Sequence, residues 1–121
     1  MPQPKKVVVK ATYDFAVDGG AQGAITLATN GVVPKGAIIT SAFTDVRTAM
    51  TSGGSATVAL AVGGVTIKSA TAFDDAAYTG LDAHITAPVQ ASATGQIVAT
   101  VATADLTAGV FDVYVEYIQS I

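Results

Sequence analysis

Few side chains in this sequence are equipped for chemistry. His84 is the single histidine, and the chain has neither cysteine nor tryptophan. One histidine without thiols cannot build a His-rich or zinc-thiolate site, and no serine and acid stand around it in a recognisable triad. Asp74-Asp75 is the one adjacent carboxylate pair and, with Asp82, offers oxygen ligands of the type a calcium ion takes. The spaced D-x-[DN]-x-[DN]-G loop is missing, so acids in the first turn of a short helix are the simpler reading. The pairs Gly19-Gly20, Gly53-Gly54 and Gly63-Gly64 lack the G-x-x-x-x-G-K-[ST] spacing that cradles phosphate, and read as turns. No convergent set of titratable groups with matched roles emerges. The expectation is therefore a protein that is not an enzyme, with no catalytic, cofactor-binding or metal-binding residue.

What remains is the chemistry of contact. Lys5, Lys6 and Lys10 make the start basic. From Thr71 onward there is no lysine or arginine, while Asp74, Asp75, Asp82, Asp105, Asp112 and Glu116 are acidic. Phosphate contacts need clustered cations, so no nucleic-acid partner is expected for the main body. The basic start is suited to an acidic surface, a neighbouring subunit included. Tyr114 shares one parity of the last strand with Asp112 and Glu116, where an exposed tyrosine can anchor an interface or pack on a second sheet. Lys5, Lys6 and Tyr114 are the candidate partner contacts.

The elements that would carry these residues are strands. A chain of 121 residues fits one domain with its own core. Half of it is hydrophobic, mostly alanine and valine, and only 12% is charged, well below the ~25% usual for soluble domains. No apolar run is long enough for a membrane helix, and no signal peptide or membrane partner is expected. Residues 1–5, with two prolines, read as an extended N-terminal arm, and 6–121 as a single domain.

Within that domain, residues of one parity are apolar over several stretches, which marks a half-buried strand. Val7, Val9, Ala11, Tyr13 and Phe15 form one such set. Ala56, Val58, Leu60 and Val62 form another, Ile97, Ala99 and Val101 a third, and Phe111, Val113, Val115 and Tyr117 a fourth. The segments Ala37–Met50 and Ala56–Val62 flank Ser52-Gly53-Gly54, which predicts a β-hairpin. The parity of the first arm breaks, which predicts a bulge near Phe43–Asp45. Ser69–Leu81 has helical spacing and predicts one short helix or structured loop. Asn30-Gly31 predicts a turn. The whole predicts an all-β fold, an antiparallel β-sandwich of jelly-roll type with about eight strands and at most one short helix.

Two segments carry a resemblance. Val33-Pro34-Lys35-Gly36-Ala37-Ile38-Ile39 runs into TSGGSATVALAVGG, and much later comes the stretch Thr103–Tyr117, TADLTAGVFDVYVEY. Over about Ala24 to Tyr117 the chain resembles capsid decoration, or cement, proteins of tailed bacteriophages. The resemblance implies a jelly-roll protomer, a homotrimer, set on the outside of a phage head assembled in the host cytoplasm. It implies a structural role, clamping neighbouring copies of the major capsid protein. A β-sandwich module of a phage tail or fibre, binding carbohydrate or a host surface, is the alternative.

Overall fold

The computed structural model describes residues 5–29, 31–75, 78, 80–85 and 88–119. The expected arm, apart from Lys5, lies outside these residues. So do Asn30 of the expected turn and Ala76 and Ala77 of the expected helix. In chain order the elements are β1 (Lys5–Asp14), α1 (Phe15–Asp18), β2 (Gly23–Thr26), β3 (Ala28–Thr29), β4 (Ile38–Ser52), β5 (Thr57–Val62) and β6 (Val65–Ala72). They continue with β7 (Leu81–Ile85), β8 (Val89–Gln90), β9 (Val98–Ala102) and β10 (Leu106–Gln119). Setting aside β3 and β8, each two residues long, eight strands remain, in line with the expected number.

Two antiparallel sheets result. The larger is ordered β3-β1-β10-β4-β7, with β8 also paired to β4, and the smaller is β2-β9-β5-β6. One rule generates both. Counting inward from the two ends, β1 pairs with β10, β2 with β9, β4 with β7 and β5 with β6. The chain is one long antiparallel ribbon, rolled so that β10 also meets β4 and β9 also meets β5. That is the jelly-roll winding, a sandwich and not a closed barrel. Its tip is the two-residue turn Gly63-Gly64, where both residues have positive φ, 57° and 78°. A turn of this hand matches the twist of the flanking strands, and glycine adopts it without steric cost.

The expected hairpin across Ser52-Gly53-Gly54 is not formed. β4 lies in the larger sheet and β5 in the smaller, so this turn carries the chain across the sandwich. Both strands do bury one face, as their alternation requires, but they lie in different sheets and hydrogen-bond elsewhere. β4 is bulged, on either side of the expected place. Against β10 the register slips at Thr40, since Ser41 faces Glu116 while Ile39 faces Tyr117. It slips again at Arg47, between Val46 opposite Phe111 and Thr48 opposite Val110, and once more between Thr48 and Thr51, the latter opposite Ala108. Against β7 it slips between Ala42 and Phe43, where β7 carries the extra residue, His84. The buried set along β4 accordingly changes parity, from Ile39 to Ala42 and Thr44.

The short helix or structured loop expected in Ser69–Leu81 begins later than expected, because β6 runs on to Ala72 opposite Thr57. A turn follows, with Asp75 N–H donating to the Ala72 carbonyl and Tyr78 N–H to that of Asp75. A short helix that the sequence reading did not place forms at α1. Asp14 caps it by accepting from Ala16 N–H at 3.0 Å, and Gly19 ends it at φ 71°.

The core lies between the sheets. Val9, Ala11 and Tyr13 of β1, Val58, Leu60 and Val62 of β5, Ala99 and Val101 of β9, and Phe111, Val113 and Val115 of β10 are buried, all on the expected parity. Toward one end three aromatics fill the space. Tyr13 stacks on Phe111 at 5.2 Å between centroids, and Tyr78 tilts against Phe111 at 6.1 Å. Each phenol finds a carbonyl, Tyr13 donating to Gly19 at 2.6 Å and Tyr78 to Val58 at 2.9 Å. A buried phenolate would lose water, so burial, and behind it Asp18 and Asp14, pushes the Tyr13 hydroxyl from its ordinary 10.0 up to about 12. Burial, then Asp75, raises Tyr78 as well.

Candidate interaction surface

The sheet that pairs β1, β10 and β4 sends alternate residues outward, and these build the most structured surface of the molecule. Across the three strands Lys10 lies opposite Tyr114, which lies opposite Phe43. The rings of Phe43 and Tyr114 stack at 4.9 Å with 16° between planes, and the Lys10 ammonium sits 5.9 Å from the Tyr114 centroid. A cation over a stacked aromatic pair is held by the ring quadrupole and by packing.

The neighbouring rows hold charge. Asp112 is buried, and its carboxylate accepts from Thr12 Oγ1 at 2.7 Å and from Arg47 at 3.0 and 3.1 Å, with Lys10 at 4.0 Å. Two sequence features place Arg47 there. Its own bulge turns it over the sheet, and Asp112 has the parity opposite to the core residues Phe111 and Val113. On the other side of the aromatic row, Lys6 reaches Glu116 at 3.2 Å, and Thr40 Oγ1 donates to the same carboxylate. The acids are the sheltered partners. Side-chain exposure is 4% for Asp112 and 29% for Glu116, against 65% for Lys6, 47% for Lys10 and 53% for Arg47. What an incoming molecule meets is therefore a cationic rim around an aromatic centre.

Of the residues singled out from sequence, Tyr114 is at that centre and Lys6 on the rim. Lys5 opens β1 opposite Gln119, on the other parity, and is not part of the face. Lys10, Arg47 and Phe43 were not picked out, because their roles arise only when three strands distant in sequence are laid side by side. His84 is half-buried, its Nε2 at 2.9 Å from the Oγ1 of buried Thr44. Asp74 and Asp75 are exposed on the turn after β6. Among the described residues no three histidines or acids stand close enough to hold a metal ion, and no helix is long and apolar enough to cross a membrane.

The opposite outer face is different. β2, β5 and β9 carry no charged residue, and their outward positions are Ala24 and Thr26, Thr57, Ala59 and Ala61, and Val98, Thr100 and Ala102. The sheet edges are short or irregular. β3 has two residues and β2 four, while β6 carries two register shifts and Lys68. Such edges resist the addition of a further strand. Two open depressions of about 260 and 180 Å³ lie at the ribbon tip, around Gly63, Gly64 and Gly95, and between Lys35, Ile38 and Ile118. Both are smaller than the roughly 300 Å³ at which ligand pockets begin.

No family model matches the sequence, and no curated protein matches it. The fold, in contrast, has clear counterparts. A chain in the acidic stable capsid structure of Helicobacter pylori bacteriophage KHP30 superposes with a TM-score of 0.61 at 17% identity, over 97% of this chain and 94% of the other. A chain in the capsid asymmetric unit of cyanophage Pam1 does so with a TM-score of 0.62 at 21% identity, over 97% and 86%. The jelly roll described above is thus shared, nearly end to end, with chains found in two phage capsids.

Proposed function

We propose that this protein is a structural component of a phage virion, a decoration protein that binds the outside of the head and bridges copies of the major capsid protein. The observation that carries the reading is the likeness over 97% of the chain to chains of two phage capsid structures. Fold alone does not give function, so the surface must supply the rest. Its blunted edges disfavour strand exchange and leave faces to make contacts. One face presents aromatics and arginine, the residue types enriched where proteins meet. In this reading the protein works as a homotrimer and sits at the capsid surface, and the residues ahead of β1 reach a neighbouring subunit, adding a second tether to each contact.

Purified protein mixed with expanded, empty heads should co-sediment with them at a saturating ratio and raise the temperature at which the heads come apart. Failure to bind heads, with binding to host cells or glycans instead, would transfer the protein to a tail or fibre.

A further inference from the structure

We infer that the cationic, aromatic face of the larger sheet receives the acidic end of a second copy of this chain. The inference rests on the self-association contained in the reading above and assigns it a surface. Three observations carry it.

First, charge is sorted along the strand axis. The turns at the end where β1 stops and β10 starts hold Asp14, Asp18, Asp74, Asp75 and Asp105. That these turns share one end follows from the register, Asp14 facing Val110, Ser52 facing Leu106, and Thr57 facing both Ala72 and Ala102. No lysine or arginine lies in them. Asp74, Asp75 and Asp105 are exposed there.

Second, the most exposed charges of the larger sheet's outer face are of the opposite kind. Lys6, Lys10 and Arg47 stand out of it, while Glu116 and Asp112, which hold them, are more sheltered, and Asp45, opposite Asp112, is half-buried. A carboxylate arriving from outside meets donors already fixed in place by Glu116, Asp112 and the Tyr114 ring, so little side-chain freedom is lost on contact. Third, the Phe43–Tyr114 stack at the centre supplies the rigid apolar anchor that charged rims alone lack.

A nucleic acid is the poorer match. The chain is net −3, and three cations offer few phosphate contacts. A second copy brings a cluster of exposed carboxylates and nothing cationic beside them. The contact joins different surfaces, face to end. Contacts of that kind repeat head to tail and close into a ring when the rotation allows, the symmetry a trimer needs.

The test is the mass of the full chain in solution by light scattering, kept separate from head binding. The wild type should be oligomeric at low salt and shed subunits as salt rises. Asp74→Lys with Asp75→Lys, on an exposed turn, should give monomers with an unchanged melting temperature. Lys6→Glu with Lys10→Glu should do the same, and joining the two pairs in one chain should restore the oligomer. If the face variant does not fold, Tyr114→Ala replaces it, since it leaves every charge in place and should also give monomers. A wild type that is monomeric at all concentrations overturns both this contact and the self-association. An oligomer that survives the Asp74/Asp75 variant and Tyr114→Ala overturns this contact only. Head binding by monomeric variants leaves the virion role standing in either case.

Discussion

The two outer faces of the sandwich start from the same alternation and end unlike. On the larger sheet, outward positions carry Lys6, Lys10, Arg47, Asp112, Tyr114 and Glu116, bound to one another by ion pairs, a ring stack and hydroxyl bonds. On β2, β5 and β9 of the smaller sheet they carry alanine, threonine and valine and no charge, and Lys68 stands apart on the edge strand β6. Neither face is needed to hide a core, since the core lies between the sheets. The organisation on one side is thus surplus to folding, and surplus order on a surface is what recognition requires.

The largest effect lies between the faces. Leu60 and Ala59 are neighbours in β5 that point to opposite sides, Leu60 fully buried and Ala59 half-buried. Leu60→Asp puts an unpaired carboxylate among apolar side chains, which costs several kcal/mol. It should abolish cooperative unfolding in a thermal melt. Ala59→Asp places the same group on the outer side and should cost about 0.5 kcal/mol or less. Equal damage from the two would mean that the smaller sheet has no solvent side.

Alkali should come next. Folding raises the ordinary 10.0 of Tyr13 to about 12 and raises Tyr78 too. A phenol held neutral in the folded state ionises first in the unfolded chain. The stability from Tyr13 is therefore complete below pH 10 and declines as the pH climbs from about 10 toward 12. Tyrosinate absorbance should show Tyr13 and Tyr78 ionising together with unfolding, and Tyr13→Phe should move the transition to higher pH. Ionisation of both before any loss of near-ultraviolet circular dichroism would contradict their burial.

Much of this was legible in the sequence, and the misses have a common cause. Alternation reports which residues share a side, so the buried sets of β1, β5, β9 and β10 and the outward set with Tyr114 were readable. It does not report which strand lies alongside. The turn at Ser52-Gly53-Gly54 therefore read as a hairpin when it is a crossing between sheets. For the same reason Phe43 and Lys10 could not be assigned to Tyr114. Arg47 was hidden further by its bulge, which breaks the parity on which the reading depends. α1 had signals in Asp14 and Gly19, but the apolar parity of β1 continues into Phe15 and concealed them.

A smaller effect separates the faces by their polar bonds. Arg47→Ala removes two bonds to Asp112 and leaves that carboxylate with Thr12 and the more distant Lys10. Because Arg47 is half exposed, water replaces part of the loss, and about 1 to 2 kcal/mol is expected in a urea titration. Thr100→Ala on the plain face should fall within about 0.5 kcal/mol. The ratio measures how far one face is cross-linked beyond the other.

The smallest effect is the most informative about function. Phe43 and Tyr114 are both partly exposed, so each replacement by alanine should cost little stability. A double-mutant cycle should give a coupling of about 0.5 to 1.5 kcal/mol, the range for stacked aromatic pairs. A pair that served the fold alone would show its coupling in unfolding and nowhere else. A pair held ready for a partner should show a larger loss in association than in stability, because a fully covered ring contributes more than one half in water. Measuring the cycle twice, once by urea and once by subunit dissociation, sets those two quantities side by side. If the association coupling is the smaller, the stack is only a brace for β4 on β10, and the plain face of the smaller sheet becomes the surface to test.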